Sequence, residues 1–153
     1  MYMKDEVLVK EFIYDFSVQG GATGVIAMSG VDPNGSLLPS GMIVSQITLY
    51  TETALASTGT PTVTVGNAFD DDGYFVDIFA AASAVNSSLH AGQLDGALIW
   101  DTSLDAIKAY RISSTATTQD VSIKIGTAPL SAGKIRVVVE GMIPSSSEAQ
   151  VVL

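Results

Sequence analysis

The sequence predicts an all-β fold in a single domain, a β-sandwich or jelly-roll-like barrel with one short helix. Three observations predict it. Apolar residues recur with a period near two in several separate stretches, the pattern of strands whose two faces meet different surroundings. Those stretches are short and bounded by Gly, Pro, Asn, Asp and Ser. The chain has 153 residues, 47% of them hydrophobic and only 15% charged, enough to fill one core and too apolar to stay disordered. One domain is therefore expected over 1–153, with an N-terminal arm at 1–10 and a C-terminal tail at 145–153.

The elements are read in chain order. Leu8 to Ser17 and Thr23 to Met28 are strands separated by Gly20-Gly21, and the glycine-dense run Gly20 to Gly24 reads as a hairpin turn. No Lys follows that run and no helical pattern opens after it, so it is not a phosphate loop. Asp32-Pro33-Asn34-Gly35 is a strong turn signal. From Met42 to Thr51, Ile43, Ile47 and Leu49 fall on one face and Met42, Val44 and Tyr50 on the other, a strand covered on both sides. Further strands are expected at Pro61 to Gly66, Gly96 to Trp100 and Lys108 to Ser113. Asp77 to Leu89 breaks the period: Ile78, Ala81, Ala82 and Val85 share one helical stripe, and Asp77 suits a first turn. Gln119 to Gly126 and Lys134 to Gly141 alternate cleanly, placing Val121, Ile123, Ile125, Ile135, Val137 and Val139 inward. The connection 126–133, punctuated by Gly and Pro, reads as their hairpin, with Lys124 and Glu140 outward across the pair.

Composition excludes several functions. Lys and Arg number 7 against 16 Asp and Glu, a net charge of −9 that repels phosphate, so neither nucleic acid nor an anionic membrane is an expected partner. With no Cys there is no disulfide, thiol nucleophile or metal-thiolate site. Acids stand in Met1-Tyr2-Met3-Lys4-Asp5-Glu6 where an export signal would be apolar, and no apolar run reaches the roughly 18 residues of a spanning helix. The basic residues are scattered and lack the interleaved aromatics that stack on bases.

Candidate chemistry is sparse. His90 is the single histidine, in a turn-like setting without a nucleophile elbow. Asp70-Asp71-Asp72-Gly73 is the one acid cluster, a weak calcium candidate that lacks the full spacing of a calcium-binding loop. Asp101 and Asp105 beside Trp100 are too loosely placed to argue for a glycosidase pair. No enzyme, catalytic residue or cofactor is expected.

Two stretches carry a family resemblance. Tyr14 to Gly24 (YDFSVQGGATG) with Leu38 to Ile43 (LPSGMI), and Val121 to Lys134 (VSIKIGTAPLSAGK), resemble strand-and-turn signatures of structural proteins of tailed-phage virions, most like head decoration (cement) proteins. The resemblance implies a non-enzymatic β-structured component on the outer capsid surface that binds the major capsid protein and itself, as a homotrimer. Contact residues expected in the arm are Tyr2, Val7, Val9 and Phe12, and in the tail Val151, Val152 and Leu153. The alternatives are a head-fibre, neck or tail-associated protein, or a carbohydrate-binding adhesin using Tyr74, Phe75 or Trp100 as a platform and Asp70 to Asp72 for calcium.

Overall fold

The computed structural model describes residues 6–31, 38–39, 41–90, 96, 98, 100–101, 106–107, 110–111 and 121–143. Within them the chain is built from antiparallel strands. In order these are β1 (Glu6–Asp15), a single helical turn α1 (Phe16–Gln19), β2 (Gly24–Ala27), β3 (Ser29–Gly30), β4 (Ile43–Ala56), β5 (Thr62–Gly66), a 3-10 turn at Ala81–Ser83, β6 (Ser88–His90), β7 (Trp100–Asp101), β8 (Ala106–Ile107), β9 (Tyr110–Arg111), β10 (Ser122–Gly126) and β11 (Ala132–Ile143). The main sheet runs β3-β1-β11-β4-β6, with β9 also on β4; the second runs β2-β10-β5, and β7 pairs β8.

Alternation decides which side chains each sheet turns inward. On β11, Ile135, Val137 and Val139 are fully buried while Lys134, Arg136, Val138 and Glu140 are only half-buried. On β10, Ile123 and Ile125 meet the same fate, as does Val121 just before it, and Lys124 stays exposed. They join Phe12, Tyr14, Ile47, Leu49, Val63 and Val65 in one continuous core shared by both sheets. Each such side chain contributes about 2 kcal/mol by leaving water. The all-β single-domain expectation therefore holds.

Several expectations do not. Strands β10 and β11 are not a hairpin: β10 pairs β2 and β5, while β11 pairs β1 and β4. The segment between them crosses from one sheet to the other, and Lys124 lies opposite Val25 and Thr64, not Glu140. The same correction applies to Gly20–Gly24, because β1 and β2 also belong to different sheets. Glycine and proline signal a change of direction, and that signal is common to a tight hairpin and to a corner between sheets.

The helix expected at Asp77 to Leu89 is also absent. Only Ala81–Ser83 winds, Asp77 (φ 33) and Asn86 (φ 63) take left-handed conformations, and Ser88–His90 pairs with β4. Ile78 and Ala82 are buried as an apolar stripe would require, but Val85 is exposed. A helix here would have to give up the strand pairing that the main sheet supplies, and the sheet wins. The helical turn lies instead at Phe16–Gln19, at the end of the first expected strand. The turn expected at Asp32 to Gly35 and the tail at 145–153 lie outside the described residues. The strand expected at Gly96 to Trp100 is corrected: the Gly96 and Leu98 amides donate to the Tyr74 and Gly73 carbonyls, Leu98 lies in a turn, and only Trp100 enters a strand, β7; of the strand expected at Lys108 to Ser113 the described part is β9.

Candidate functional site

The stretch Tyr14 to Gly21 is a corner held by a set of local hydrogen bonds. Asp15 caps the helical turn, its carboxylate accepting from the Ser17 amide at 2.9 Å and the Ser17 hydroxyl at 2.6 Å. Gln19 reaches back to accept from the Asp15 amide at 2.8 Å, so side chains at both ends of the turn satisfy backbone donors. Gly20 ends the turn at φ 76, ψ 179, a region open to glycine almost alone, and its amide returns to Phe16. The buried Tyr14 hydroxyl donates to the Gly20 carbonyl at 2.7 Å. Burial, then the neighbouring Asp15 carboxylate, push that phenol up to about 12. The Ser17 hydrogen bonds hold the Asp15 carboxyl below its ordinary range.

This corner meets the crossing from β10 to β11, which in turn meets the crossing from β4 to β5. The Leu130 amide donates to Gly21 at 2.8 Å, the Ser57 hydroxyl to Pro129 at 2.7 Å and the Ser131 amide to Ala56 at 2.8 Å. Gly21 lies so close to the Leu130 backbone that a Cβ there would stand 2.3 Å from its carbonyl oxygen. Tyr14 to Gly24 and Val121 to Lys134, two of the segments that carry the family resemblance, thus meet where the chain passes between sheets.

On the outer face of the main sheet, Arg136 on β11 bridges Glu52 on β4 at 2.7 Å and Glu11 on β1 at 3.0 Å. Lys134 completes the row with Glu52 at 3.3 Å and Asp15 at 3.9 Å. The Arg136 hydrogen bond holds the Glu52 carboxyl low, and Glu52 in turn raises Arg136. Beside this row Val9 is 58% exposed.

The acid cluster forms a second surface feature, on the loop 67–73 after β5. Asn67 closes the loop, its side-chain oxygen accepting from the Phe69 amide at 3.0 Å and the Asp70 amide at 3.1 Å. Thr64 fastens the Asp71 carbonyl at 2.8 Å, and Lys124 pairs with the Asp71 carboxylate at 2.6 Å. The loop therefore folds back over the outer face of the second sheet. It brings the three carboxylates within 4.8 Å of one another. A hydrogen bond shared with Asp72, then burial, push the Asp70 carboxyl up, and Asp71 pushes Lys124 up. Such a cluster attracts cations, and Lys124 already answers part of that charge.

Phe12 is 1% exposed and belongs to the core, which removes it as a contact residue. Tyr74 and Phe75 are fully buried, so neither is a stacking platform for a sugar. Val7 lies on β1 opposite Met142, and residues 6–10, counted with the arm, pair along their length with 139–143 of β11. His90 lies on β6 opposite Thr48, in a strand and not a turn. Tyr2, Asp105, Val151, Val152 and Leu153 lie outside the described residues. Phe69, absent from the sequence candidates, is 65% exposed beside the acid cluster. A lone aromatic next to a run of aspartates was the available signal. No helix of the described residues is long and apolar enough to cross a membrane.

No protein-family model and no curated protein matches this chain. Its fold is found in solved structures. A chain of the cyanophage Pam1 capsid asymmetric unit matches with a TM-score of 0.62 at 21% identity, covering 94% of this chain and 89% of that one. A chain of the acidic stable capsid structure of Helicobacter pylori bacteriophage KHP30 matches with a TM-score of 0.57 at 16% identity, covering 94% and 92%. At such identities the likeness establishes a shared fold.

Proposed function

We propose that this chain is a non-enzymatic virion protein that decorates the outer surface of a tailed-phage capsid, binds its major capsid protein as a homotrimer, and stabilises the shell. The observation that carries the reading is the match of nearly the whole chain, in both directions, to chains of two phage capsid structures. The spatial meeting of the two sequence stretches that resemble decoration proteins supports it. So does the charge of −9, which suits a protein kept away from packaged nucleic acid.

The mechanism is cross-linking. Each copy adds a modest contact to neighbouring capsomers, and repetition around a closed shell makes many modest contacts collectively strong. The exposed Val9, with Tyr2, Val7 and the Val151 to Leu153 tail, is assigned to that contact. Particles of the encoding virus stripped of this chain should rupture at a lower temperature than complete ones, and adding purified chain back should restore them. Equal rupture temperatures would refute the reading. Light scattering on the purified chain should give the mass of a trimer.

A further inference from the structure

Strand β2 and the loop 67–73 enclose an open groove of about 450 Å³, lined by Val25, Asn67, Ala68, Phe69, Asp70 and Asp71. Its apolar walls face water: Phe69 is 65% exposed and Val25 62%. The loop that presents Phe69 is nevertheless fixed, because the buried Asn67 holds the Phe69 and Asp70 amides and Thr64 holds Asp71. An aromatic kept exposed on an ordered loop is contact area whose ordering cost is already met within the chain.

Charge says what covers it. The loop carries Asp70, Asp71 and Asp72, and Lys124 is the cation paired with it. Among the described residues, Lys134 pairs with Asp15 and Glu52, and Arg136 with Glu11 and Glu52, on the other sheet. With a net charge of −9, a second copy of this chain is a poor source of the complement.

We propose that this groove docks an arginine side chain presented by a different protein. The guanidinium lies against the aspartate carboxylates while its plane and aliphatic stem lie along Phe69 and Val25. Arginine fits better than lysine because a guanidinium is planar, weakly hydrated and stacks on aromatic faces. A calcium ion would use the carboxylates and ignore Phe69; a neutral sugar would use Phe69 and ignore the carboxylates. The inference rests on the capsid reading only for the partner's being a shell protein.

The test titrates isotope-labelled chain with acetyl-Gly-Arg-Gly-amide and with its uncharged citrulline counterpart, following backbone amide shifts. The arginine peptide should move Val25 and residues 67–72, the citrulline peptide should not, and Phe69→Ala should weaken the response about three-fold, the loss of one exposed cation–π contact. Equal responses to both peptides, shifts elsewhere, no shifts, or an unchanged Phe69→Ala would overturn the proposal. Because Phe69 is exposed, that variant keeps the core, and Asp70→Asn provides a second variant with the same expected direction. On shells, Phe69→Ala should occupy fewer sites than the unaltered chain. Equal occupancy would overturn this inference and leave the capsid reading standing. If the unaltered chain ignores shells while the arginine peptide binds, the capsid reading falls and the groove stands.

Discussion

Gly21→Ala is the sharpest test of how the two sheets are joined. The added methyl would stand 2.3 Å from the Leu130 carbonyl oxygen and 2.9 Å from the Leu130 Cβ. Both are far inside contact distance, and the nearest atoms are backbone, so one sheet crossing must move away from the other. Overpacking of this kind costs about 2 kcal/mol, and the displaced Leu130–Gly21 hydrogen bond adds about 1 kcal/mol. A loss of about 3 kcal/mol corresponds to a melting temperature lower by roughly 6–12 °C in a domain of this size. Differential scanning calorimetry on Gly21→Ala and on the exposed control Ala22→Ser should separate them, with the control within about 2 °C of the unaltered chain. If Gly21→Ala melts with the control, the crossings do not meet as described and the two-sheet junction is wrong.

Other outcomes follow from the same structure. Tyr14→Phe removes the hydrogen bond to Gly20 and should cost about 1–2 kcal/mol at neutral pH by denaturant unfolding. The neutral Tyr14 phenol is favoured in the fold, so its contribution is complete below about pH 10 and is lost as pH rises toward 12. The unaltered chain should therefore lose about 2–3 kcal/mol more than Tyr14→Phe across that window. Arg136→Met leaves Glu11 and Glu52 facing each other and should cost about 1–2 kcal/mol. Because Glu52 is held low, its contribution is present above its unfolded value of 4.5 and fades as pH falls; Arg136→Met should flatten that acid limb in thermal melts. Millimolar calcium should leave the melting temperature unchanged, since the Lys124 ammonium already sits on Asp71; a saturable, chelator-reversible rise would contradict this.

The strands were legible wherever burial is one-sided. Ile123, Ile125, Ile135, Val137 and Val139 announce their inward faces by alternation alone, and the structure buries all of them. Pairing was not legible, because alternation fixes a strand's faces and leaves its neighbours open. Thr127 illustrates the point: it adopts φ 69 beneath a tight hydrogen bond from the Ala128 amide to Gly126, and no β-branched residue advertises a left-handed backbone. The chain redirects there, and what reads as a hairpin becomes a corner. The Asp77 to Leu89 stripe failed for a related reason, since Ile78 and Ala82 need only be buried, and a 3-10 turn against the sheet buries them as well as a helix. At the surface, the acid triplet was visible as composition, whereas Phe69 became a candidate only once the fold had left it outside.

Cryo-electron microscopy of stripped shells incubated with the purified chain decides whether it decorates the capsid. Added density should appear on the outer surface at symmetry-related positions, and the two-sheet fold should fit into it. Bare shells, or density confined to a neck, fibre or tail, would contradict decoration.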